Sequence, residues 1–128
     1  MTVRIVRLGS PRSSGEGLRI GTVRRPPRGV PKSEFASRDF YDVWLPNLAP
    51  SEALLKAGQA ASDERAWKAF VRRYRQEMSR PEAARLLDVL AALSRTADFS
   101  VGCYCAIEAR CHRSVLRELL ADRNAALD

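Results

Sequence analysis

Short β-branched runs near the two ends of the chain enclose a long helical middle, and that order restricts the folds open to it. "VRIVRL" (3–8) and "LRIGTV" (18–23) alternate apolar and polar residues as half-buried strands do. "FYDVWLPNLAPS" (40–51) starts like a third strand but is broken at Pro46 and Pro50. Three helical segments follow, then the buried-strand candidate "DFSVGCYC" (98–105) and a last helix over 112–122. Strands separated by long helical crossovers pair in parallel, because a crossover returns the chain to the same end of the sheet. The expectation is one α/β domain over residues 1–128: a mainly parallel sheet with helices packed on it, a Rossmann-like layered architecture in two or three layers.

Local signals place the helices. Ser51 is an N-cap candidate for "EALLKAGQ", and Gly58 would end that helix. Over 63–78, Trp67, Phe70, Val71, Tyr74 and Met78 recur at three- and four-residue steps and form one apolar stripe. "SRPE" (79–82) has the pattern of a capping box with proline just inside the helix start. The helix it opens carries Ala83, Leu86, Leu87, Leu90 and Leu93 on one face. The final helix buries Val115, Leu116, Leu119 and Leu120. Residues 24–34, with Pro26, Pro27, Gly29 and Pro31, form an irregular basic loop.

No apolar stretch approaches the roughly 18 residues a membrane span needs, and charge breaks up the apolar start of the chain. A cytoplasmic protein without a membrane partner is the expectation. Three closely spaced cysteines do not make a disulfide framework. The formal net charge is +7, and all but three of the 22 basic residues are arginine. Arginine forks suit carboxylates and phosphates, which directs attention to anionic small molecules and, secondarily, nucleic acid.

All three cysteines and the one histidine fall within "CYCAIEARCHRS" (103–114), at a strand-to-helix junction. Strand alternation would send Cys103 and Cys105 to one face and Tyr104 to the other. Cys111, His112, Arg113 and Ser114 then open the last helix, where free N–H groups and the helix dipole attract anions and favour a thiolate. Cys111, His112 and Cys103 are therefore the candidate catalytic residues: Cys111 as thiolate with Cys103 near it, His112 as acid–base or hydrogen-bonding group. Arg113, Ser114, Arg24 and Arg28 are the candidate anion ligands. Arg24 and Arg28 join them because a parallel second strand beside the last one would aim its basic loop at the cysteines.

Two other readings of the junction are open. Cys103, Cys105, Cys111 and His112 total four ligands, enough for zinc, but adjacent side chains at a helix start are expected to diverge. No metal and no cofactor is therefore assigned. The loops of cysteine phosphatases place five residues between cysteine and arginine, whereas six separate Cys103 from Arg110 and four separate Cys105 from Arg110. Buried cysteines as plain packing would be the third reading.

Several stretches resemble a known family, the domain-of-unknown-function family numbered 488 with its YeaO-like branch. "RRPPRG" (24–29) is similar to that branch's Asp-Arg-x-Trp-Pro-Arg-Gly segment at Arg24, Pro27, Arg28 and Gly29. "DVWLPNLAPS" (42–51) resembles its Trp-Leu-x-x-Leu-Ala-Pro-Ser element, and Trp67, Phe70, Arg73 and Tyr74 match its aromatic helix. "CYCAIEARCHRSVL" looks like the Cys-His-Arg ending of the wider family, although many relatives carry glutamate at the place of Cys105. The resemblance implies a single α/β domain and no particular activity.

Two functional classes therefore remain. The first is a thiolate-dependent enzyme or binding domain for an anionic, phosphorylated or nucleotide-like ligand. The second is a non-enzymatic nucleic-acid-binding or protein-interaction module with structural or zinc-binding cysteines, in which exposed aromatics such as Trp44 or Tyr41 would make the contact. The absence of a helix-turn-helix or an aromatic platform weighs against nucleic acid.

Overall fold

β4 (Phe99–Cys103) is the hydrophobic centre of the sheet, and all five of its residues are buried. The computed structural model describes residues 1–128. Its strands are β1 (Val3–Arg7), β2 (Leu18–Gly21), β3 (Val43–Trp44) and β4, in the spatial order β1-β4-β2-β3. All pairings are parallel, with Val3 and Leu18 both opposite Phe99, and Arg7 opposite Cys103. β4 is the last strand in sequence and yet lies inside the sheet, which suits a fully buried strand that must be covered on both faces.

Between β3 and β4 the chain makes helices α1 (Glu52–Ala60), α2 (Glu64–Met78) and α3 (Pro81–Leu93), and α4 (His112–Ala121) closes the chain. Val3, Ile20, Phe99 and Val101 share one core with Leu54, Phe70, Tyr74, Leu87, Leu116 and Leu120, so all four helices cover the same face of the sheet. Burying each large apolar side chain contributes on the order of 1.5–3 kcal/mol. The other face carries Arg19, Gly21, Ser100 and Gly102, covered by irregular chain. There the ring of Tyr41 sits where a Gly21 side chain would otherwise be. Tyr41 is thus a buried residue, not an exposed contact aromatic. The architecture is α/β with helices on one side.

That second face holds a buried ion pair. Arg19 donates from Nε and a terminal nitrogen to Glu16 at 2.7 and 2.9 Å, and to the carbonyls of Ser10 and Asp39 at 2.8 and 2.7 Å. Ser100 donates to the same carboxylate at 2.8 Å. Every donor of a fully buried guanidinium needs an acceptor, and this network pins the 10–17 and 39–42 segments to the sheet.

The helix boundaries show local rules being met and overridden. Ser51 caps α1 by accepting from Leu54 N–H, and its hydroxyl donates to Glu77 at 2.6 Å, tying α1 to α2. Asp63 caps α2 in the same way. α1 runs past Gly58 to Ala60, because Gly58 is a packing residue: a Cβ there would meet the Phe70 ring at 2.6 Å. The capping box at 79–82 does not form. Only Ser79 and Arg80 join α2 to α3, and the Ser79 hydroxyl is used at 2.7 Å on the Gln76 carbonyl at the end of α2. The 40–51 segment holds only a two-residue strand, followed by a 3-10 turn over Pro46–Leu48.

Candidate functional site

Thr22, just past the end of β2, is the anchor of the site. Its N–H and hydroxyl both donate to the Gly102 carbonyl of β4, at 3.0 and 2.9 Å. Its own carbonyl is 2.7 Å from Nε2 of His112. A carbonyl only accepts, so Nε2 carries the proton. Burial pushes the imidazole pKa down to about 4, with the Thr22 hydrogen bond opposing and Arg113 assisting. A neutral ring protonated on Nε2 has a bare lone pair on Nδ1. That nitrogen faces Cys111 Sγ at 3.7 Å. The ring is held edge-on to Tyr74, whose hydroxyl donates to the Leu48 carbonyl at 2.6 Å.

Cys111 and His112 thus converge, contrary to the expectation that neighbours at a helix start diverge. Cys111 is the N-cap with extended backbone (φ −128°, ψ 151°), and the change to helical geometry at His112 turns both side chains to one side. Cys103, at the end of β4, meets them: its sulfur is joined to that of Cys111 as a disulfide, with Cα atoms 7.7 Å apart. The two sulfurs and an imidazole nitrogen all lie within 4.8 Å of one another, and all three residues are buried.

Cys105 does not share the face of Cys103. β4 ends at Cys103, so strand alternation stops there, and Cys105 is the exposed, free thiol. Desolvation by the loop raises its pKa, against the pull of Arg113 and Arg7.

The expected anion ligands occupy different positions. Arg113 is 4% exposed and its Nε has no partner; only Tyr41 has another buried side-chain oxygen or nitrogen left unpaired. Burial lowers its pKa, and Glu108 and Cys105 act in the opposite direction. Glu108 itself is engaged by Arg117 at 2.8 and 3.0 Å. None of the backbone N–H groups of residues 104–107 donates to another backbone carbonyl. Ser114 turns its hydroxyl back to the Cys111 carbonyl at 2.9 Å. Arg24 borders the thiol cavity but spends its donors on the carbonyls of Pro50 and Ala49, at 3.0 and 3.1 Å.

β2 and β4 are parallel neighbours, so the basic loop and the cysteine junction do meet at their C-terminal ends. A cavity of about 160 Å³ there is bordered by Arg24, Arg25, Cys103, Tyr104, Cys105 and His112. A larger hollow of about 430 Å³, lined by Arg28 and Phe40, shares Arg25 and Tyr104 with it. The Tyr104 hydroxyl donates to the Arg25 carbonyl at 2.9 Å and joins the two loops. Sequence patterns pointed to neither Tyr104 nor the Thr22 carbonyl. Tyr104 had the cysteines beside it as a signal, whereas a backbone carbonyl has no sequence signature.

No curated protein and no solved structure gives a match to the chain. A family model described as the active DUF488-N3 subclade, DUF488-N3a, matches residues 3–124. With nearly the whole chain matched, and with the parallel sheet and the Cys-His-Arg helix start in place, the protein belongs to the domain-of-unknown-function family 488.

Proposed function

We propose that the junction is a thiol-dependent site, of an enzyme or a binding domain, for an anionic ligand of phosphorylated or nucleotide-like character. The observation that carries this reading is Arg113, a buried guanidinium with an unpaired Nε beside the cysteines. An unpartnered buried cation is costly, and an anion brought to it would supply the missing acceptor. The head of α4, where Arg113 sits, adds donors of the same sign. The larger hollow, with Arg25, Arg28, Phe40 and Tyr104, has walls suited to a charged group attached to a planar one.

The thiol chemistry requires the reduced protein. Two electrons and two protons from a dithiol or phosphine reductant convert the Cys103–Cys111 disulfide to two thiols. The Cys111 thiol then faces the bare Nδ1 of His112 and donates its hydrogen bond there. His112 is uncharged at neutral pH, so the potential that favours a thiolate comes from Arg113 and the helix N-terminus.

The test is alkylation of the reduced, metal-stripped protein across pH, with and without inorganic phosphate. One thiol titrating below about 8.5, absent in Cys111→Ser and slowed by phosphate in the wild type but not in Arg113→Ala, supports the reading. Three slow thiols indifferent to phosphate overturn it.

A further inference from the structure

We infer that the reduced protein binds one soft divalent cation of the zinc class through Cys103 Sγ, Cys111 Sγ and His112 Nδ1, with its fourth coordination position open to the adjacent cavity. The inference goes beyond the anion site and does not rest on it. The donor set comes first: two thiolates and an imidazole select zinc-like ions over magnesium or calcium, which need oxygen ligands. No carboxylate belongs to the cluster.

Geometry comes next. Around a tetrahedral zinc ion, sulfur and nitrogen ligands at about 2.3 and 2.0 Å lie roughly 3.5 Å apart. Cys111 Sγ and His112 Nδ1 are already 3.7 Å apart, and no pair in the trio exceeds 4.8 Å.

Orientation is the third observation. Metal-binding histidines usually donate their second nitrogen to a carbonyl or carboxylate, which fixes the ring and the tautomer. His112 does this to Thr22 at 2.7 Å, and Thr22 is itself held to β4 by two hydrogen bonds. The nitrogen left over is the one facing the sulfurs. Finally, all three ligands are buried, while Cys103 and His112 also border the cavity of about 160 Å³, which gives an entry path and room for a water at the fourth position. Binding replaces the two thiol protons, so one cation enters and two protons leave.

The test is titration of the full-length protein, reduced with a phosphine under anaerobic conditions, with Co(II). The expected result is tetrahedral d–d absorption with thiolate-to-cobalt charge transfer, saturating at one ion per chain and displaced by Zn(II). Cys103→Ser and Cys111→Ser should each lose about half of the charge-transfer intensity and bind at least about 10-fold more weakly, while Cys105→Ser keeps the full band. Absence of charge transfer from reduced wild-type protein in excess Co(II) overturns the inference, whether or not the serine variants fold. So does a band that survives in Cys111→Ser and disappears in Cys105→Ser, which would place the ion on the exposed thiol. Phosphate protection in the metal-stripped protein is read separately, so either result can fail alone.

Discussion

His112 is the chain's one histidine, so its titration can be followed without overlap. In the folded protein burial lowers its pKa from 6.5 to about 4. The folded value lies below the unfolded one, so unfolding takes up a proton and acid favours it. The contribution of this residue is therefore whole above about pH 6.5 and is lost as the pH falls toward 4. The full difference is on the order of 3 kcal/mol, of which about 2 kcal/mol is lost between pH 7 and pH 5. That is a large fraction of a typical total stability of about 5–15 kcal/mol. Glu16 acts in a lower window. Burial alone would raise its pKa, but Arg19, Ser100 and Ser13 hold it at about 2, so its share is lost only below about 4.5. The assay is urea unfolding at closely spaced pH values, together with the NMR titration of the histidine ring in the folded protein. Between pH 7 and 5 the wild type should lose about 2 kcal/mol, and His112→Gln, which can still donate to the Thr22 carbonyl, should show a markedly flatter profile. A ring that titrates near 6.5 in the folded protein, or equal slopes in the two proteins, would refute the assignment of a neutral imidazole held by Thr22.

Arg19→Ala leaves Glu16 buried without its cation and should cost about 3–5 kcal/mol in chemical denaturation, with the Glu16→Ala/Arg19→Ala pair costing less than the sum of the single changes. Gly58→Ala sets helix propensity, worth up to about 1 kcal/mol in favour of alanine, against a Cβ 2.6 Å from the Phe70 ring. The clash should win by about 1–3 kcal/mol, and a stabilised variant would show that Phe70 yields freely. Tyr74→Phe removes a buried donor to the Leu48 carbonyl and should cost about 1–3 kcal/mol by thermal or urea unfolding; a neutral result would mean that water reaches that carbonyl.

Sequence alone determined the parallel α/β class and the helix faces, and it marked one stretch as the candidate site. These follow from local rules: apolar periodicity specifies which side of a helix or strand is buried, and the clustering of Cys103, Cys105, Cys111 and His112 is visible as spacing. Ser51 and Asp63 act as caps because their partners lie three residues away. Tertiary structure decided what depends on distant chain. Ser79 lost its capping-box role to the end of the preceding helix, and Gly58 became a seat for Phe70. Arg19, which reads as a polar strand residue, turned inward because Glu16, Ser10 and Asp39 converge on it. The arrangement of side chains at the candidate site was decided in the same way. Whether Cys111 and His112 point together or apart depends on the backbone turn between them, and which imidazole nitrogen is bare depends on the carbonyl of Thr22, 90 residues away in sequence. Spacing shows which side chains can meet, and only the fold shows the directions in which their lone pairs point.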